Sequence, residues 1–94
     1  MRELVWSNRF VRTFKKYLKR HPEARKSIEE TLNRLATDPF APQLATHKLK
    51  GPLAAFWACS AGYDLRILFV FVKNEAGGED DIFLSEIGTH DEAY

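Results

Sequence analysis

The sequence has almost no cysteine and no long apolar run. Cys59 is the only cysteine among 94 residues, which excludes an internal disulfide and is typical of a reducing compartment. Its apolar neighbours predict a small core residue rather than a nucleophile. The longest apolar run, residues 67–72, is far too short to span a bilayer. The N-terminus has no apolar signal-peptide core, so the sequence predicts a cytoplasmic protein without membrane contact.

Several common catalytic motifs are also absent. The sequence contains no glycine-rich phosphate-binding loop, no dinucleotide-binding motif and no serine-hydrolase motif. The histidines, cysteine and acids of the sequence do not have the spacing of metal ligands. The adjacent acidic pairs Asp80-Asp81 and Asp91-Glu92 are of a kind that is usually solvated. We therefore expect a protein that uses neither a cofactor nor a metal.

Charge is present in both signs but is unevenly distributed. Residues 1–50 carry twelve Lys and Arg against five Asp and Glu, whereas residues 51–94 carry two against eight. A basic half can attract a polyanion even when the net charge is only +1. The basic residues of the first predicted helix, Arg12 and Lys16 among them, either contact such a ligand or form a solvated helix face; both interpretations stay open.

The first half of the chain predicts a short strand followed by two helices. Residues 4–6 are strand-like, and Ser7 is a good N-cap for a helix whose apolar residues recur with helical period. The sequence His21-Pro22 ends that helix and begins a second one, which ends at Asp38 before a proline. The apolar face of the second helix consists of Ala24, Ile28, Leu32 and Leu35.

The second half predicts three strands at residues 53–61, 64–73 and 81–88. The links are short, and the one at residues 74–81 is an acidic turn with two glycines. Consecutive strands with such links form an antiparallel meander. The sequence therefore predicts one α+β domain over residues 1–94, in the order β-α-α-β-β-β, with a helical hairpin on one face of a small, largely antiparallel sheet.

A sheet covered by helices on one face leaves its other face open to a ligand. In the strand 64–73, one side is entirely apolar and is predicted to pack against the helices. Asp64 and Arg66 are on the other side, so we expect both to point away from the core. The alternative is a plain Asp–Arg ion pair that contributes little to stability.

Two further segments contain candidate functional residues. His90 and Tyr94 follow the last strand at the rim of the sheet, and an imidazole can transfer protons near neutral pH. Alternatively, His90 only caps a turn and Tyr94 only packs on the sheet. His47 precedes Lys48 and Lys50, which would share one face of an extended segment and suit two phosphate contacts; the alternative is an ordinary basic loop.

Three motifs in this order resemble the RelE/ParE superfamily of toxins from toxin–antitoxin systems, in particular its YafQ-like and RelE/StbE-type branch. The motifs are HKLKG at residues 47–51, YDLRILF at 63–69 and IGTHDEAY at 87–94, and the similarity covers essentially the whole chain. The resemblance implies a concave RNA-binding sheet. It also implies cleavage of messenger RNA, usually in the ribosomal A site, and neutralisation by a cognate antitoxin protein.

The resemblance also implies roles for individual residues. His47, Asp64 and His90 correspond in position to the catalytic residues of YafQ-like toxins. Arg66 corresponds to a catalytic arginine of RelE, and Tyr94 to a functional aromatic residue near the end of RelE-like toxins. The chain departs from the family at residues 56–60, which lack both the lysines of RelE and a further histidine of YafQ-like toxins.

From these residues we predict a metal-independent endoribonuclease in which the 2′-OH of RNA attacks the adjacent phosphate. Arg66 would stabilise the phosphate charge, His90 would be the general acid, and Asp64 or His47 the general base. Tyr94 would position the substrate or stack on a base. The predicted RNA-binding residues are Lys48, Lys50, Arg12 and Lys16. Two alternatives remain: a ParE-like toxin that inhibits DNA gyrase without nuclease activity, and a catalytically degenerate protein-interaction module.

Overall fold

The computed structural model describes residues 1–89, which form two α-helices and one five-stranded sheet. The elements in chain order are β1 (Leu4–Trp6), α1 (Asn8–Arg20), α2 (Arg25–Thr37), β2 (His47–Lys48), β3 (Trp57–Gly62), β4 (Leu65–Val72) and β5 (Asp81–Thr89). The predicted α+β fold is confirmed, with β2 as an additional short strand. No helix within the described residues has the length and apolar character needed to cross a membrane.

The start of α1 lies where capping chemistry predicts it, whereas α2 begins without a side-chain cap. The hydroxyl oxygen of Ser7 accepts a hydrogen bond from the backbone N–H of Phe10 at 2.9 Å and so caps α1. Pro22 follows α1 and opens a 3₁₀ turn, Pro22–Ala24, that leads directly into α2. α2 ends at Thr37, and Asp38 is its C-cap residue.

The strands lie in the order β1-β5-β4-β3-β2. β3, β4 and β5 form the predicted antiparallel meander. β1 adds to the other side of β5 in parallel, over residues 4–6 only, and the two-residue strand β2 pairs with β3. β5 continues five residues beyond its pairing with β1, to Thr89, so this end of the strand lies beside α1 instead.

The core lies between the sheet and the helices. Alternate residues of β4, namely Leu65, Ile67 and Phe69, are buried in it together with the apolar faces of α1 and α2. Leu68 belongs to a separate small cluster with Ala58 and Leu49 on the opposite face. Because side chains alternate along a strand, Arg66 lies on the same uncovered face as Leu68, as predicted.

Two predicted strand boundaries are wrong, and one of them concerns a candidate site residue. The first strand of the meander begins at Trp57 rather than at residue 53, because residues 51–53 form a 3₁₀ turn. The second begins at Leu65, because Asp64 lies in the β3–β4 turn with φ +53°. Aspartate adopts this left-handed conformation more readily than most residues, and so Asp64 is in a turn rather than in the strand.

Candidate active site

Arg66 lies on the uncovered sheet face, on the central strand β4 and close to the β3–β4 turn. Its cross-strand partners are Ser60 on β3 and Gly88 on β5. The two residues directly opposite Arg66 therefore carry small side chains or none, and the Nη1 of Arg66 donates a hydrogen bond to the Leu65 carbonyl at 3.1 Å. Arg66 forms no ion pair with any carboxylate within residues 1–89. The cation therefore has donors available for an anionic ligand.

Asp64 is in the β3–β4 turn and lies close to Arg66, which is on β4. An open depression at this end of the sheet, which we call the Arg66 depression, is lined by Ser60, Gly62, Tyr63, Asp64 and Arg66. The carboxylate of Asp64 is exposed to solvent. The structure thus brings a hydrogen-bond acceptor and a cation to one surface, as the sequence predicted, even though Asp64 belongs to the turn and not to the strand.

His47 lies elsewhere on the sheet. It is on the edge strand β2, opposite Ala58, which is in turn opposite Leu68 on β4. Strands are spaced about 4.8 Å apart and residues about 3.3 Å along a strand, so His47 is separated from Arg66 by about 12 Å at the backbone. Its ring Nδ1 is 2.9 Å from the carbonyl oxygen of Ala45. The structure does not bring His47 together with Asp64 and Arg66.

The predicted pair of lysines lies on the opposite face of the sheet. Lys48 is the cross-strand partner of Trp57, which packs against the core on the helix side. Lys50 follows in extended conformation, and Leu49 between them packs on the uncovered face. Both lysines are exposed, but neither is on the face that carries Arg66.

A groove runs between α1 and the end of β5, and we call it the α1 groove. It encloses about 550 Å³, and its lining includes Thr13, Lys16 and Arg20 from α1 and Glu86, Ile87 and Thr89 from β5. Glu86, the one acid of this lining among residues 1–89, forms an ion pair with Arg9 at 3.2 Å. Lys16 therefore faces a groove with a surplus of positive charge. Arg12 is exposed on the same helix.

The α1 groove reaches the strand end that flanks Arg66. Thr89, in its lining, pairs with Leu65, and the preceding residue Gly88 pairs with Arg66. The sequence did not predict this groove, because it depends on how α1 packs along a strand more than seventy residues away. The remaining candidates, His90 and Tyr94, lie outside the described residues.

Cys59 is excluded as a nucleophile by its position. It is fully buried in the core on the helix side of β3. Burial raises the pKa of its thiol from 9.0 to about 12, although the positive charge of Arg66 acts in the opposite direction. The thiolate is therefore scarce at neutral pH. Within the described residues, no group of three or more His, Cys, Asp or Glu side chains could hold a metal ion.

Comparisons with known proteins give matches only among solved structures. No protein-family model matches the chain, and neither does any curated protein. The chain is similar to a metal-bound toxin from Helicobacter pylori, with a TM-score of 0.78, 29% sequence identity and coverage of 100% of both chains.

Two more distant structures agree with this result. The chain is similar to a YoeB/ParE toxin from Agrobacterium tumefaciens, with a TM-score of 0.73, 19% identity and coverage of 96% of this chain and 99% of that one. It is also similar to a chain of the E. coli DinJ–YafQ toxin–antitoxin complex, with a TM-score of 0.76, 17% identity and coverage of 99% and 97%. The chain therefore has the RelE/ParE-like fold of type II toxins, the fold that YafQ also has.

Proposed function

We propose that the protein is the toxin of a type II toxin–antitoxin system and cleaves messenger RNA as an endoribonuclease. The observation that carries the proposal is the position of Arg66, a cation without a carboxylate partner among the described residues, on the uncovered face of a toxin-like sheet. Messenger RNA under translation is the substrate and the ribosomal A site the place of cleavage. The protein acts in the cytoplasm, where this substrate is found.

The reaction is a transfer of the scissile phosphate from the 5′-oxygen to the neighbouring 2′-oxygen. The carboxylate of Asp64 takes the proton of the 2′-OH, and the 2′-oxygen then forms a bond to phosphorus. Arg66 stabilises the negative charge that builds on the phosphate oxygens. His90 gives a proton to the leaving 5′-oxygen. The products carry a 2′,3′-cyclic phosphate and a 5′-OH, and no metal takes part, so cleavage continues in a chelator.

Asp64 is the better general base of the two candidates. It lines the same depression as Arg66, whereas His47 is about 12 Å away across the sheet. A general base has to lie within hydrogen-bond distance of the proton it takes. His47 therefore contacts a neighbouring part of the RNA. Tyr94 stacks on a base or positions the substrate.

RNA backbone contacts come mainly from the first helix. Lys16 faces the α1 groove and Arg12 is exposed on the same helix, so both supply charge for phosphates that approach the end of β5. Lys48 and Lys50 lie on the other face of the sheet and contact RNA that continues past the edge strand. In this proposal, basic residues from the first half of the sequence supply the contacts to the RNA backbone.

The protein partner is a cognate antitoxin. The E. coli DinJ–YafQ structure, a toxin–antitoxin complex, supports such a partner for this chain. The surplus of Lys16 and Arg20 in the α1 groove suits an acidic antitoxin segment that is disordered when free and folds on binding. Bound there, the segment excludes RNA. Adding the neighbouring gene product to the toxin should abolish RNA binding and cleavage together.

The decisive experiment is the mapping of new 5′ ends in cellular mRNA after brief induction of the protein. The wild-type protein, Arg66→Ala and His90→Ala are compared, with growth recorded in parallel. We expect the wild-type protein to arrest growth and to cleave mRNA at a fixed position within codons. We expect neither effect from the two variants. Cleavage positions that bear no fixed relation to the codons would indicate a nuclease that acts away from the ribosome.

Three outcomes would contradict the proposal. Unchanged cleavage by both variants would show that these residues are not catalytic. Growth arrest without new RNA ends, together with inhibition in a gyrase supercoiling assay, would indicate a ParE-like toxin instead. A protein that causes no growth arrest at all would fit a degenerate interaction module.

A further inference from the structure

Tyr63 is the most exposed aromatic side chain of the described residues. It is 100% accessible to solvent at the tip of the β3–β4 turn, whereas Phe40, the next, is 55% accessible and contacts two other rings. An aromatic ring that packs against nothing contributes no buried apolar area to the stability of the domain. Its place at this turn is therefore not explained by the fold.

The turn itself does not require a tyrosine. The left-handed conformations that close it belong to the neighbouring residues, Gly62 with φ +147° and Asp64 with φ +53°. Tyr63 has no positive φ and makes no ring contact with any described residue. Many residue types would fit this position equally well. The tyrosine is thus a fully exposed side chain on a turn whose conformation its neighbours define.

Tyr63 lines the Arg66 depression with Asp64 and Arg66. We infer that its ring holds an unpaired nucleobase of the substrate by stacking, an inference that rests on the proposed nuclease function. A single-stranded nucleotide offers a flat base and an anionic phosphate, and this depression offers an aromatic ring and a guanidinium. Tyr63 is a substrate-positioning residue in this scheme and takes no part in proton transfer.

The proposed reaction gives a reason for such a residue. Attack by the 2′-OH requires the ribose and phosphate to leave the helical geometry of stacked RNA, and the bases at the scissile step then lose contact with each other. Stacking on Tyr63 replaces that lost contact. It also fixes the nucleotide relative to Arg66, and fixed geometry lowers the barrier of an intramolecular attack.

Four proteins test this inference: the wild-type toxin, Tyr63→Phe, Tyr63→Leu and Tyr63→Ala. Each is titrated against a fluorescently labelled single-stranded RNA whose 2′-OH groups are methylated to prevent cleavage. We expect Phe to bind like the wild type and Leu and Ala to bind about 5- to 150-fold more weakly, the range for one stacked base. Melting temperatures should agree among all four, because the side chain is fully exposed.

The salt dependence of binding separates stacking from charge. Tyr63→Ala removes no charge, so the slope of log K against log salt should stay at the wild-type value. Arg66→Ala is the matched comparison, and it should reduce the slope by about 0.7 if Arg66 contacts one phosphate. The same Tyr63 series is also compared by the rate of mRNA cleavage on translating ribosomes, where we expect the same order of variants.

Failure of this inference is distinguishable from failure of the proposed function. If the wild-type protein cleaves RNA and Tyr63→Ala binds and cleaves equally well, stacking is overturned and the nuclease stands. If Tyr63→Ala loses binding of the antitoxin but binds and cleaves RNA like the wild type, the ring is part of a protein interface and stacking is likewise overturned. If the wild-type protein neither binds nor cleaves RNA, both proposals fail together.

Discussion

The hydroxyl oxygen of Thr13 on α1 accepts a hydrogen bond from the backbone N–H of Ile87 on β5, with 3.1 Å between the two atoms. β1 pairs with β5 only as far as Leu84, so this N–H lies beyond the paired part of the strand. A side chain of α1 thus supplies the hydrogen-bond acceptor for a residue of β5 that β1 is too short to reach. The contact fixes α1 against the strand that carries Gly88, the cross-strand partner of Arg66.

We expect Thr13→Val to destabilise the protein by about 1–3 kcal/mol. Valine has nearly the same shape but no acceptor, and it leaves the partly buried N–H of Ile87 without its partner. Thr13→Ser keeps the hydroxyl and is the matched control. The free energy of unfolding in urea is the measurement. Equal stability of the Val and Ser variants would show that water replaces the hydroxyl at no cost.

Arg66→Ala should reduce the rate of RNA cleavage by about 10²- to 10³-fold, the usual effect of losing one group that stabilises developing charge. Arg66→Lys should be intermediate, because an ammonium keeps the charge but not the planar pair of donors. The measurement is the single-turnover cleavage rate. Both variants should stay folded, since within residues 1–89 the side chain makes one hydrogen bond, to the adjacent Leu65 carbonyl.

Arg25→Ala is the control for the loss of an arginine. Arg25 is exposed on α2 and forms an ion pair with Glu29 at 3.5 Å, outside the lining of the Arg66 depression. Its loss should leave the cleavage rate within a factor of about two, because exposed ion pairs contribute little. A comparable loss of activity in both variants would mean that net charge, rather than the position of Arg66, governs the reaction.

The sequence was sufficient to predict those features that depend on local pattern. Alternation along β4 separates Ile67 and Phe69 from Arg66, and this pattern alone predicts which face meets the helices. The capping role of Ser7 also follows from local chemistry. The sequence pattern predicts a strand at Asp64, because a turn of two residues between two strands leaves no break in the hydrophobic pattern.

Features that depend on long-range pairing could not be predicted. The strand β2 has two residues, too few for any periodicity, and the face of Lys48 is known only once its register with Trp57 is known. The α1 groove likewise depends on the packing of Thr13 beside Ile87, which are 74 residues apart. The distance of His47 from Arg66 follows from the strand order, which the sequence left undetermined.

The buried thiol of Cys59 should make the stability pH-dependent in alkaline solution. Burial raises the pKa of this thiol from 9.0 to about 12 in the folded state. Above pH 9 the unfolded chain therefore loses the proton while the folded protein keeps it, and the free energy of unfolding falls, by at most about 1.4 kcal/mol per pH unit. Below pH 9 the thiol contributes no pH dependence.

Cys59→Ala isolates this effect from the titration of lysines and tyrosines, which both proteins share. The difference in unfolding free energy between wild type and variant should be constant at neutral pH and should shift in favour of the variant as the pH rises through 9. Denaturant titrations across this range give the measurement. A constant difference throughout would mean that the folded protein ionises the thiol as easily as the unfolded chain does.

Lys16→Ala should weaken binding of single-stranded RNA and reduce the slope of log K against log salt by about 0.7, the value for one lost phosphate contact. Lys16 faces the α1 groove, where Glu86, the only acid that the described part of the chain contributes to the lining, is already paired with Arg9. Lys26→Ala is the control, because Lys26 is also an exposed lysine but lies on α2, outside that groove. Binding is measured by fluorescence anisotropy at several salt concentrations. If both substitutions reduce the slope by the same amount, the α1 groove is not a specific RNA-binding path. RNA would then be attracted by the overall positive charge of residues 1–50.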